Sequence, residues 1–180
     1  MISILISEGF NEISIPIIQF RETFKGKVGE ENNNLMFNFK DRGDRDLCLA
    51  PEYTAVIQKL ANTEFKQQRD VKLFYVQECF RGEKPQAGRY RQFTQLGVEV
   101  LNPSMDYLSE GYNLQHLAWK LMGYNPDLIR TDDVVRGLDY YKNGKGFEIR
   151  SKDGMQLCGG GSYDGGAGFA IGVDRWLLCS

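Results

Sequence analysis

The segment Phe80-Arg81-Gly82-Glu83-Lys84-Pro85-Gln86-Ala87-Gly88-Arg89-Tyr90-Arg91-Gln92-Phe93-Thr94-Gln95-Leu96-Gly97-Val98-Glu99-Val100 restricts the fold more than any other part of the chain. Its second half reads as a strand that sends Gln95, Gly97 and Glu99 to one face and Leu96, Val98 and Val100 to a core on the other. Leu73 to Arg81 supplies a hairpin partner across the intervening loop. The polar face admits two readings. It is the solvated side of an ordinary antiparallel strand, or it is an amide and a carboxylate flanking an absent side chain, a shape that hydrogen-bonds a small ligand. The loop tilts the choice, because Arg81, Lys84, Arg89 and Arg91 face a single acid, Glu83. Concentrated arginine suits bidentate recognition of phosphate or carboxylate.

The rest of the chain repeats the hairpin theme. Glu12 to Ile18 reads as a strand and the polar stretch Lys25 to Asn34 as a loop. Leu35 to Phe39 and Leu47 to Ala50 flank the turn-rich Asp41-Arg42-Gly43-Asp44, a hairpin signal. Pro51 and Glu52 open a helix. Leu114, Leu117, Ala118 and Leu121 recur at helical spacing, with Gly123 placed to end that helix. Asn143-Gly144 and Asp153-Gly154 mark turns of a meander through Phe147, Glu148 and Ile149 into a glycine run. The expectation is one α+β domain over residues 1–180, an antiparallel β-sheet with flanking helices covered on one face.

Composition narrows the function classes. A formal net charge of -2 and a pI near 5.5 argue against nucleic-acid binding through the overall field, so any RNA contact is local to the basic loop. Cys48, Cys79, Cys158 and Cys179 form no CxxC pair and read as free thiols of a reducing compartment. No apolar run is long enough to span a bilayer, and the opening Met-Ile-Ser-Ile-Leu-Ile-Ser lacks a basic, cleavable leader. A cytoplasmic protein without membrane partners is expected.

The basic hairpin resembles the second signature motif of the class II aminoacyl-tRNA synthetases, in the histidyl-tRNA synthetase family. Arg136-Gly137-Leu138-Asp139-Tyr140-Tyr141 with Phe147-Glu148 is similar to the first histidine-specific signature, and Cys158-Gly159-Gly160-Gly161-Ser162-Tyr163-Asp164-Gly165 to the second. Gly168-Phe169-Ala170-Ile171-Gly172-Val173-Asp174-Arg175 resembles the third class II motif, and Gly9-Phe10-Asn11-Glu12-Ile13-Ser14-Ile15-Pro16 echoes the first.

The resemblance implies a class II synthetase-like fold and an ATP-dependent, amino-acid-activating ligase that forms histidyl-adenylate with ATP and magnesium. Arg81 would bind the α-phosphate and the substrate carboxylate, Arg175 the γ-phosphate, and Arg136 would stabilise the transition state. Glu83 would fix adenine and serve as the candidate magnesium ligand, Phe93 would stack on the base, and Arg89 belongs to the ATP set. Glu52 and Thr54 would receive the substrate ammonium, although Glu52 is equally a helix-start acid. Gln95, Glu99, Tyr140 and Tyr141 would complete the histidine pocket, with the Gly159 and Gly160 backbone approaching the amino acid closely. His116 is expected to be exposed and without a role. Implied partners are histidine, ATP, the tRNA acceptor stem or another acceptor, and a second copy in a homodimer.

Against the family pattern the sequence reads as truncated, a minimal catalytic domain without an anticodon-binding or insertion domain. Ser162 replaces a usual arginine, Thr94 a common histidine, and Tyr53 a small residue beside Glu52, where it would reshape the ammonium end of the pocket. The rival reading is a noncatalytic histidine-binding or regulatory paralogue.

Overall fold

A computed structural model describes residues 1–108, 113–135 and 145–179. The chain runs through α1 (Ile2–Ser7), β1 (Asn11–Glu12), β2 (Ile18–Phe20), a 3-10 turn (Arg21–Phe24), α2 (Gly29–Asn34), β3 (Asn38–Lys40) and β4 (Asp46–Leu49). It continues through α3 (Thr54–Asn62), β5 (Val71–Phe80), β6 (Gln92–Leu101), α4 (Leu114–Leu121), β7 (Ile129–Val135), β8 (Lys145–Arg150), β9 (Gln156–Tyr163), β10 (Gly166–Gly172) and α5 (Val173–Leu178). Seven strands form one sheet in the order β1-β5-β6-β10-β9-β8-β7, and β2-β4-β3 form a second, smaller one. Among the described residues of the large sheet, only β1 pairs in parallel, on β5.

The alternation in β6 sorts residues between two cores. Leu96, Val98 and Val100 join Phe74, Phe169 and Phe147 under Leu5 of α1 and Leu114, Leu117, Ala118 and Leu121 of α4. Full burial of each such leucine is worth roughly 1.5–3 kcal/mol, which fixes the strand's face. On the opposite face Leu73, Tyr75 and Cys79 of β5 pack with Ala55, Ile57 and Ala61 of α3 and Cys48 of β4. The sheet is therefore covered on both faces and not on one, because α3 and the small sheet fold back over the polar side.

Local rules account for several boundaries. Asp41 Oδ1 accepts the amides of Gly43 at 2.8 Å and Arg45 at 3.0 Å, closing the β3–β4 turn as expected. Asn113 caps α4 by accepting from the amides of Gln115 and His116 at 2.8 and 3.3 Å. Gly123, at φ +77°, follows the end of that helix.

Two further expectations fail. The polar stretch Lys25 to Asn34 contains α2, a helix that Gly29-Glu30-Glu31-Asn32-Asn33-Asn34 does not announce through apolar periodicity. The strand expected over Glu12 to Ile18 divides between β1 in the large sheet and β2 in the small one. Between them the Gln77 side chain substitutes for strand pairing, accepting from Ile15 N at 2.9 Å and donating to Ile15 O at 2.6 Å. At the far edge, β7 slips register on β8 between Thr131 and Val134, where Asp133 adopts φ +54°. No helix among the described residues is long and apolar enough to cross a membrane.

Candidate active site

The polar face of β6 lies beside the start of α3. Glu52 is buried just ahead of that helix, and its carboxylate accepts from the amides of Thr54 at 2.8 Å and Ala55 at 3.0 Å. It thus fulfils the helix-start reading, satisfying first-turn amides that lack intrahelical partners. Thr54 Oγ1 donates to Glu99 Oε1 at 3.1 Å, and Tyr163 Oη donates to Glu99 Oε2 at 2.7 Å. Burial drives the Glu99 carboxyl up to about 8; the Tyr163 and Thr54 bonds oppose that rise, and neighbouring Glu52 adds to it. At neutral pH Glu99 is therefore mainly a neutral acid. Gln95 accepts from Cys79 Sγ at 3.2 Å, which turns its amide oxygen toward β5, and burial raises the Cys79 thiol well above its usual range.

The space expected at Gly97 is occupied. Tyr75 stands opposite Gly97 in the β5–β6 register, and a Cβ on Gly97 would lie 2.0 Å from Tyr75 Cζ, far inside contact distance. Tyr75 in turn packs on Tyr53, with ring centroids 5.2 Å apart, and Tyr53 Oη donates to Glu78 O at 2.9 Å. Tyr53 therefore forms the wall behind Tyr75.

The two candidate glycines of β9 separate. Gly159 pairs with Ala170, itself paired with Gly97, so it stands in the polar-face row. Gly160 lies in the row of Phe147 and Phe169, whose atoms would be 2.8 and 2.6 Å from a Cβ there. Its missing side chain makes room for those core rings.

Adjacent to this polar cluster the cationic residues converge. Arg81 Nε donates to Pro51 O at 2.9 Å, the residue preceding Glu52, and its guanidinium lies 5.1 Å from the Phe93 ring centre. Arg175 Nε donates to Gly88 O at 2.6 Å and Nη1 to Gln156 O at 3.2 Å. Burial, then the nearby Arg89 and Arg81, hold the Arg175 guanidinium below its ordinary value, with Glu83 opposing. Arg89 reaches Glu83 at 3.6 Å. A pocket of about 310 Å³ opens between the 86–89 loop and the β8–β9 turn, lined by Arg89, Arg150 and Arg175 among others. Its arginines suit a polyanion.

Glu83 supplies one carboxylate here, and among the described residues no three His, Cys, Asp or Glu gather as a metal cage. One carboxylate plus nucleotide phosphate oxygens is a mode magnesium adopts, so the residues fit a metal that arrives with ATP. Arg136, Tyr140 and Tyr141 lie outside the described residues. His116 is exposed, as expected, and meets Tyr124 Oη at 3.1 Å. Sequence reasoning missed Tyr75 and Arg150. Strand alternation would have placed Tyr75 on the face of Gln77 and Cys79, whereas Arg150 carried no motif.

The chain is similar to known proteins. A family model described as Histidyl-tRNA synthetase matches residues 1–126. The chain is 30% identical to the histidine-tRNA ligase of Clostridioides difficile over an alignment of 280 residues, covering 94% of this chain and 66% of the relative. It is 39% identical to that of Methanosarcina acetivorans over 140 residues, or 73% of this chain and 33% of the relative. The chain spans at most 66% of the length of these curated relatives. The apo histidyl-tRNA synthetase structure from S. aureus matches with a TM-score of 0.72 at 27% identity, over 99% of this chain and 63% of that one. An ATP phosphoribosyltransferase regulatory subunit/histidyl-tRNA synthetase from Bacillus halodurans matches with a TM-score of 0.77 at 15% identity, over 99% of this chain and 76% of that one. At that identity the likeness is one of fold.

Proposed function

The chain belongs to the histidyl-tRNA synthetase family, and from that premise we propose that it binds histidine and ATP with magnesium and forms histidyl-adenylate. One observation carries the reading: Arg81, held on the Pro51 carbonyl next to Glu52, links the Glu52, Thr54 and Glu99 cluster to Arg175, which feels the charges of both Arg81 and Arg89. A histidine carboxylate oxygen attacks the α-phosphorus, the bond from that phosphorus to the bridging oxygen breaks, and pyrophosphate leaves. Arg81 holds the reacting carboxylate and α-phosphate, Phe93 takes the adenine face, and Arg89 and Arg175 bind the departing phosphates. Arg136 stabilises the charge that builds on the α-phosphoryl oxygens. Glu83 would hold magnesium, which would neutralise phosphate charge when bound.

At the amino-acid end Glu52 and Thr54 meet the ammonium. Gln95, Glu99, Tyr140 and Tyr141 meet the side chain, with Gly159 in the floor. An imidazole presents one donor and one acceptor, and a buried acid beside hydroxyls answers both. The Gly82 to Tyr90 loop receives a tRNA acceptor stem or another acceptor. The protein works as a cytoplasmic homodimer.

ATP–pyrophosphate exchange with each of the twenty amino acids tests the proposal. Stimulation by histidine alone, lost in Arg136→Ala, is expected; exchange unchanged by Arg136→Ala would sink the assigned mechanism. The fold shared with an ATP phosphoribosyltransferase regulatory subunit/histidyl-tRNA synthetase supports a second reading, a noncatalytic histidine-binding regulator. Histidine binding by calorimetry without exchange would select it.

A further inference from the structure

We propose that Arg150 is a third arm of the phosphate clamp, binding the pyrophosphate end of ATP together with Arg89 and Arg175. The inference rests on the ATP-binding reading above and adds to it a residue from a different part of the chain.

Arg150 ends β8 and lines the same pocket as Arg89 and Arg175. Its guanidinium is held on two sides. Nε and Nη2 donate to Glu148 Oε2 at 2.9 and 2.5 Å, and Nη1 donates to Gly154 O at 2.9 Å. A guanidinium has five N–H groups, so these three bonds leave one hydrogen on each terminal nitrogen for an anion. The side chain remains 42% exposed while its Glu148 partner is 8% exposed. The carboxylate thus sits beneath the guanidinium, which faces outward.

The opposite wall is equally fixed. Arg175 anchors the Gly88 carbonyl at 2.6 Å, and Met155 of the β8–β9 turn lies where a Gly88 side chain would stand, 3.0 Å from that position. Loop and turn therefore close on each other with arginines on both sides. Arg175 has Nε and one Nη1 hydrogen committed to carbonyls, leaving Nη2 open to a phosphate oxygen. Fixed guanidinium forks lining one pocket match a ligand with several anionic oxygens better than one with a single charge.

Calorimetric titration of the full chain with ATP, magnesium pyrophosphate and AMP tests the assignment. Arg150→Met is expected to weaken ATP and pyrophosphate binding about tenfold, the loss of one charge-assisted contact, and to leave AMP affinity unchanged. Arg150→Lys retains a cation for Glu148 but not the fork, and is expected to weaken pyrophosphate binding by a smaller factor at unchanged AMP affinity. Equal affinity for pyrophosphate in the parent chain and both variants would overturn the role of Arg150 while leaving ATP binding intact. Parallel loss of AMP and pyrophosphate affinity would reduce Arg150 to a support for Glu148 and overturn it too. A parent chain that binds neither ATP nor pyrophosphate would overturn the underlying reading.

Discussion

The Tyr75 ring lies over Gly97, its register partner, so that one strand's side chain occupies the space left by the other's glycine. Gly97→Ala would force a methyl into that ring, and a destabilisation of about 1–3 kcal/mol is expected from overpacking. In a Tyr75→Ala background the same change should cost much less. Urea denaturation of the four proteins in this double-mutant cycle measures the coupling; additive costs would mean that the contact is not the source.

Glu99 links stability to pH. Its carboxyl titrates at about 8 when folded, against about 4.3 for an unperturbed glutamate. Between those values the native state holds a proton that the unfolded chain has lost, so this group's contribution to stability falls as pH rises through the window. Glu99→Gln has no such proton to lose. Its urea midpoint relative to the parent should therefore rise between pH 5 and pH 8, and a constant difference would count against the shift.

Arg175 joins the phosphate site to the loop that covers it. Arg175→Ala is expected to slow ATP–pyrophosphate exchange about 100-fold, as loss of a transition-state donor does. The same variant frees the Gly88 carbonyl, so trypsin should cut more quickly at Arg89 or Arg91. Arg175→Lys keeps the charge without the two carbonyl bonds. It should recover part of the exchange rate while remaining protease-sensitive.

Glu52 holds the first amides of α3. Glu52→Ala should lower stability by about 1 kcal/mol in urea titrations, the usual cost of a lost N-terminal cap. Under the proposed function it also raises the KM for histidine and leaves that for ATP nearly unchanged.

Much of this was legible in the sequence where one rule acted alone. Period-two alternation sorted Gln95 to Val100 correctly between faces, and the Asp41 turn and Gly123 marked real boundaries. The failures came where contacts between strands decide. Gly97 looked like room for a ligand, yet the offset of β5 against β6, which no local pattern specifies, brings Tyr75 across it. Arg150 sits outside every motif and shares a pocket with Arg175 only when the β8–β9 turn folds beside the 86–89 loop. The polar run Gly29 to Asn34 carries no apolar stripe, so nothing in it distinguished α2 from a loop.

The register slip in β7 has a consequence for the protein's behaviour in a crowded solution. A straight outer strand offers free amides and carbonyls on which another chain can zip, the first step toward fibrils. Here the outer strand kinks at Asp133, beside Asp132, which holds Arg130 at 2.9 Å. An incoming strand meets a broken row of bonding groups and charge at the bend. Straightening β7 by deleting Asp133 should therefore make the chain prone to edge-to-edge growth even where the seven-stranded sheet still forms.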